Sequence, residues 1–172
     1  PKSSALGIAN GECIERVTDK DKEYQGIKPR DKAQVCFIHA IETCALTVGL
    51  GAAGTGKTTL AIAYALQRHF REEKRIILTK PSSFVGKSNA VAAVPGDIRE
   101  KLAPYVASFI SPMRKILGEY AEQYIYELEQ KDALTFQALE LVRGLNFDNA
   151  VVILDEAQNC TPPVSYTHLT LP

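Results

Sequence analysis

The sequence predicts an α/β fold, a parallel sheet with helices packed on both of its faces. Three observations predict it. Short buried-strand patterns at Ala45–Leu50, Arg75–Thr79 and Ala150–Leu154 alternate with longer stretches of helical period. Strands covered on both faces read as near-continuous apolar runs, and their alternation with helices implies parallel neighbours. A glycine-rich segment, Gly51-Ala52-Ala53-Gly54-Thr55-Gly56-Lys57-Thr58, joins the first run to a helix, and two carboxylates, Asp155-Glu156, end the third.

Taken in order, residues 1–30 are polar and punctuated by Gly7, Gly11, Gly26 and Pro29, which predicts a loop-rich lead-in. From Asp31 the pattern turns helical, with Val35, Ile38 and Ile41 at three-residue spacing and Asp31 as the capping residue. Ala45–Leu50 is expected to be a buried strand feeding the glycine-rich turn. The helix that follows runs to about Arg71, with Leu60, Ala63, Tyr64 and Leu66 available for an inner face. Arg75–Thr79 is the second strand, and residues 80–96 a long loop. Asp97 to Gly118 is helical in composition, but Pro104 and Pro112 are expected to break or kink it. Glu119–Lys131 is a further helix, Leu134–Leu145 is ambiguous, and Ala150–Leu154 is the third buried strand.

At 172 residues one domain is expected, long enough to bury a sizeable core. The formal net charge is zero, so nucleic-acid binding cannot be argued from charge. No apolar run reaches the roughly 20 residues that cross a bilayer, and Pro1-Lys2-Ser3-Ser4 does not start a signal peptide. Cys13, Cys36, Cys44 and Cys160 form no C-x-x-C pair. The expectation is a cytoplasmic chain with reduced thiols and no membrane partner.

Gly51-x-x-x-x-Gly56-Lys57-Thr58 matches the phosphate-loop pattern in full. Its glycines let backbone N–H groups converge on one point, and the N-terminus of the following helix adds partial positive charge. ATP is therefore expected along Gly51, Ala52, Ala53, Gly54, Thr55, Gly56, Lys57, Thr58 and Thr59. Lys57 would reach the β- and γ-phosphates, a catalytic as well as a binding role, and the Thr58 hydroxyl would take Mg²⁺. Val151–Leu154 ends in Asp155-Glu156, and a buried strand does not end in two acids without a use for them. In enzymes with such a loop, the acid-bearing strand lies beside the strand that feeds the loop. Asp155 would then hold Mg²⁺ through water, and Glu156 would orient and deprotonate the attacking water. A dedicated acid beside the metal ligand favours hydrolysis over transfer to a small-molecule acceptor.

Beyond these two motifs, the stretch from Pro95-Gly96-Asp97 to Lys101-Leu102-Ala103-Pro104-Tyr105, Arg143-Gly144 and Asp155-Glu156-Ala157-Gln158-Asn159 make the sequence resemble the PhoH-like family. These are the ATPases named for phosphate-starvation-inducible proteins, and the likeness runs from about Lys28 to Thr161. The resemblance implies a RecA-like fold near superfamily 1 helicases and hydrolysis coupled to work on RNA or another nucleic acid. It also places Gln34 where such proteins carry an adenine-reading glutamine. Gln158 and Asn159 would link the hydrolysis site to neighbouring motifs. Arg143 would serve nucleotide or RNA contacts, or an ordinary surface ion pair. Lys80-Pro81 departs from the family's usual Arg-Pro, and Val91–Val94 replaces a Gly-Phe-Leu-like segment.

The expected organisation is a lead-in over 1–30, the ATPase core over 31–162 and a foreign tail over 163–172. Val164–Pro172 back-translates into the end of a sequencing-library adaptor, and the adaptor's preceding bases demand a codon that Pro163 allows. The core is expected to stop before its γ-phosphate-sensing motifs, so the chain itself should bind ATP and turn it over poorly. A regulatory module that binds ATP with negligible turnover is the alternative, and a homo-oligomer is left open.

Overall fold

In the computed structural model the described residues are 23–81, 98–139, 142 and 147–160. Residues 1–22 of the lead-in, most of the loop after Pro81, Pro95-Gly96-Asp97, Arg143-Gly144 and the 163–172 tail lie outside them. Asp31 starts the first helix, α1 (Lys32–Thr43), as the sequence predicts: its carboxylate accepts the Gln34 N–H at 2.9 Å. Such a cap is worth about 1 kcal/mol. The buried stripe is Val35, Cys36, Ile38 and Ala40, with Ile41 only half-buried.

The second helix, α2 (Lys57–Glu72), opens at the phosphate loop, and all four residues expected on its inner face, Leu60, Ala63, Tyr64 and Leu66, are buried. His69 and Arg71 occupy its last turn, where cations suit the helix dipole. The chain divides into two units, residues 1–67 and 68–172, and the sheet belongs to the second. Strand β1 (Arg75–Lys80) is central, flanked by β2 (Leu134–Ala138) and β3 (Ala150–Leu154) in the order β2-β1-β3. Both pairings are parallel, with Ile76 opposite Leu134 and Val151. Ile76, Ile77, Leu78 and Thr79 are at most 1% exposed. Successive side chains point to opposite faces, so both faces of β1 are covered. This is the helix-flanked parallel sheet of an incomplete RecA-like α/β fold. Within the ambiguous stretch 134–145, residues 134–138 form strand β2, because β1 offers an edge to pair with.

A single helix, α3 (Ile98–Leu117), runs through both Pro104 and Pro112, which were expected to break or kink it. Each proline removes one backbone donor, and the flanking turns carry the helix past that gap. A 3-10 turn at Gly118–Tyr120 leads into α4 (Ala121–Gln130). Both helices pack on β2, with Phe109 facing Phe136 at 6.3 Å between ring centroids. Phe70 stacks on Tyr124 at 5.4 Å; burial, and then the Glu127 charge, push the Tyr124 phenol above its ordinary pKa.

Two strand expectations need correction. Ala45–Leu50 forms neither helix nor strand, and Leu46, Val48 and Leu50 are 66%, 72% and 91% exposed. An apolar run becomes a strand only where a neighbouring edge supplies its hydrogen bonds, and none of the described strands pairs with it. Strand β3 forms, but Val152 is 45% exposed, so the strand is not buried throughout. Among the described strands it pairs with β1 alone.

The Thr79 hydroxyl is buried without a hydrogen-bond partner among the described residues. A buried unpaired hydroxyl is costly, whereas a valine of the same shape is not. Thr79→Val is therefore expected to leave the chain as stable or about 1 kcal/mol more stable, read from the urea midpoint. A clear loss of stability would show that the hydroxyl has a partner.

Candidate functional site: the phosphate loop and the acid pair

Gly54 and Gly56 adopt φ values of +76° and +84°, conformations that cost other residues but not glycine. They turn the chain tightly into α2, whose first bond is the Leu60 N–H to the Gly56 carbonyl at 2.9 Å. No acidic residue occupies the first turn of α2, so its N-terminal partial positive charge is left intact for an anion. Lys57 folds back over the loop. Its ammonium donates to the Gly51 carbonyl at 2.9 Å, the Ala52 carbonyl at 2.7 Å and Thr55 Oγ1 at 3.1 Å. Thr55 Oγ1 in turn donates to the Ala52 carbonyl at 3.0 Å. The loop thus holds its lysine at its own mouth, through contacts that phosphate oxygens can replace.

Gln34 reaches this loop from α1. Its Nε2 donates to the Thr55 carbonyl at 2.9 Å, while its Oε1 accepts the Arg30 N–H at 2.7 Å. A Cβ at position 56 would stand 3.2 Å from Gln34 Nε2, a second reason for glycine there besides φ.

In the second unit the acid pair sits where expected, directly after β3. The Asp155 N–H donates to the Thr79 carbonyl at 2.9 Å, extending the β1–β3 ladder by one bond. Glu156 then leaves the strand in the left-handed region, at φ 55° and ψ 38°. That conformation disfavours a non-glycine residue by about 1–2 kcal/mol and is the kind of backbone strain that gathers at functional sites. A 3-10 turn, Ala157–Asn159, holds it: the Asn159 N–H donates to the Glu156 carbonyl at 2.9 Å. Gln158 Nε2 donates to the Glu156 carboxylate.

The structure therefore brings Gln34 to the phosphate loop and Gln158 to Glu156, each within its own unit. Residue spacing had no access to the Gln34–Thr55 bond, which spans 21 positions. Thr79 was read only as a strand residue; the one signal was a polar residue directly after the aliphatic run Ile76–Leu78. The donor chemistry fits Mg-ATP. The Thr58 hydroxyl and Asp155 carboxylate are hard oxygen donors of the type Mg²⁺ takes, and Lys57 with the helix start suits phosphate.

A parallel sheet covered by helices, with a lysine-bearing glycine loop opening one helix and an acid pair ending one strand, defines a P-loop NTPase. The PhoH-like protein family model matches residues 26–170, most of the chain. The chain belongs to the PhoH-like family. It is 37% identical over 160 residues to Protein PhoH of Escherichia coli (strain K12), covering 92% of this chain and 44% of that protein. It is 34% identical over 152 residues to the PhoH-like protein of Bacillus subtilis (strain 168), covering 88% of this chain and 46% of the relative. Against the PhoH-like protein of Synechocystis sp. (strain ATCC 27184 / PCC 6803 / Kazusa) the figures are 34% over 148 residues, 85% and 43%. The chain thus spans a little under half the length of these relatives. No described helix is long and apolar enough to cross a membrane.

Proposed function

We propose that this chain binds Mg-ATP along Gly51, Ala52, Ala53, Gly54, Thr55, Gly56, Lys57, Thr58 and Thr59, and that the protein hydrolyses it with Asp155 and Glu156. The observation that carries the reading is the Lys57 ammonium gathered at the mouth of a loop that opens α2. Thr58 and Asp155 would hold Mg²⁺, Asp155 through water. When bound, that ion would neutralise phosphate charge. Glu156 takes the proton of the attacking water, and the Gln158 amide aims its carboxylate. Gln34 is proposed to read the adenine.

The work driven is proposed to be remodelling of RNA or another nucleic acid in the cytoplasm. Family membership supports this; the zero net charge neither helps nor opposes it. The test is Mg-dependent phosphate release with and without single-stranded RNA, in a version of the protein as long as its relatives. Stimulation by several-fold is expected. ATP binding with no turnover under either condition would instead support the regulatory module.

A further inference from the structure

We propose that the turn Tyr24–Ile27 clamps the far ends of α1 and α2, and that Tyr24 is thereby a positioning residue for the phosphate site. The inference rests on the nucleotide-binding reading above and adds the element that aligns the two helices at that site. The Tyr24 N–H donates to the Ile27 carbonyl at 2.8 Å, and the Ile27 N–H donates to the Tyr24 carbonyl at 2.9 Å. Gln25 and Gly26 between them take φ values of +49° and +79°, as the central residues of a type I′ turn do. A connector on the surface leaves its side chains in water. Tyr24 is instead 1% exposed, and its phenol O–H donates to the Glu42 carboxylate at 2.8 Å, a charge-assisted bond across 18 positions. The neighbouring Glu23 carbonyl accepts from Gln67 Nε2 at 3.5 Å, a longer bond, and Gln67 is 6% exposed. Glu42 lies in the last turn of α1 and Gln67 in the second half of α2. Two consecutive residues therefore fasten both helices, all within the first unit.

These fastenings are remote from the loop. The first turn of α1 touches the loop at the Thr55 carbonyl, and α2 begins at the loop with Lys57. From Gln34 to Glu42 is about 12 Å of helix, and from Lys57 to Gln67 about 15 Å. Both helices thus leave the loop in the same direction, and the turn joins them two to three helical turns away. A rod has a fixed direction only when it is held at two points. With the clamp closed, α1 is held at Gln34 and at Glu42. With it open, α1 pivots about its first turn, and the Thr55 end of the loop loses its fixed place beside Lys57. A phosphate chain then binds only the fraction of molecules in which the two helix starts are aligned, and apparent affinity falls with that fraction. Burial of Val35 and Ile38 keeps α1 attached in either case, but apolar burial is non-directional, whereas a hydrogen bond fixes an angle.

The experiment measures Mg-ATP and inorganic Mg-tripolyphosphate binding by isothermal titration, beside urea midpoints, in wild type, Tyr24→Phe, Glu42→Gln and Gln67→Met. Phenylalanine keeps the buried ring and removes the hydroxyl. Glutamine at position 42 keeps an oxygen that accepts from Tyr24. Methionine at position 67 keeps the length and removes the amide. The clamp predicts that both ligands weaken about three- to tenfold in Tyr24→Phe and about two- to fivefold in Gln67→Met, with Glu42→Gln near wild type. A residue that serves folding alone would lower the urea midpoint and leave the affinity of the folded molecule unchanged, since the ligand binds only that state. That result in Tyr24→Phe overturns the clamp and leaves the binding site standing. If Tyr24→Phe does not fold, unchanged affinity in Gln67→Met overturns the clamp in the same way. A wild type that binds neither ligand overturns the nucleotide-binding reading and the clamp together.

Discussion

Glu156→Gln is expected to keep ATP binding and to lose turnover by roughly hundredfold or more, the scale of positioned proton transfer. The substitution preserves size, and its amide oxygen can still accept from Gln158 Nε2. The left-handed backbone of residue 156 is no harder for glutamine than for glutamate, so the local turn should persist. What disappears is the group that accepts a proton from water. The measurement is kcat for phosphate release beside nucleotide affinity, in a version as long as the relatives. Turnover within about threefold of wild type, against the loss general base catalysis implies, would remove Glu156 from the chemistry and leave Asp155 to be tested next.

Lys57→Ala is expected to weaken ATP roughly tenfold to hundredfold, because hydrogen bonds to a charged group are worth about 1.5–3 kcal/mol. The three contacts that Lys57 makes are with its own loop, two with carbonyls and one with Thr55 Oγ1. Water can satisfy those exposed acceptors once the ammonium is gone, so folding should change little. Titration of ATP and of inorganic tripolyphosphate, together with the urea midpoint, separates binding from stability. Both ligands should weaken alike, since the ammonium addresses phosphate and not the base. Unchanged ATP affinity at unchanged stability would sink the assignment of the loop.

Those two residues were legible from the order of amino acids, and the reason is locality. A phosphate loop is a contiguous stretch whose glycines, lysine and helix start act within eight positions, and the structure opens α2 at Lys57 as the pattern requires. Strand β1 and the Asp31 cap are local in the same sense: an aliphatic run and one carboxylate three residues ahead of its donor. Sequence alone also placed Asp155 and Glu156 at a strand end. It pointed to a P-loop NTPase by putting acid and phosphate loop in one chain, and the family match agrees.

What is not local had to wait for the folded chain. Whether Ala45–Leu50 becomes a strand depends on a free edge to pair with, and apolar content cannot report one; here three of its side chains stand in the open. The reverse holds for residues 134–138, whose pattern was ambiguous until β1 supplied the edge. Pro104 and Pro112 were expected to break or kink a helix because local cost argues so, and α3 is broken at neither. The partners of Gln34 and the left-handed turn at Glu156 are likewise tertiary. The Gln34 bond joins residues far apart in sequence, and the strain at Glu156 persists because Gln158 and Asn159 close the turn around it. Short-range chemistry sets what each segment can be, and only the pairing of distant groups decides which of those states is occupied.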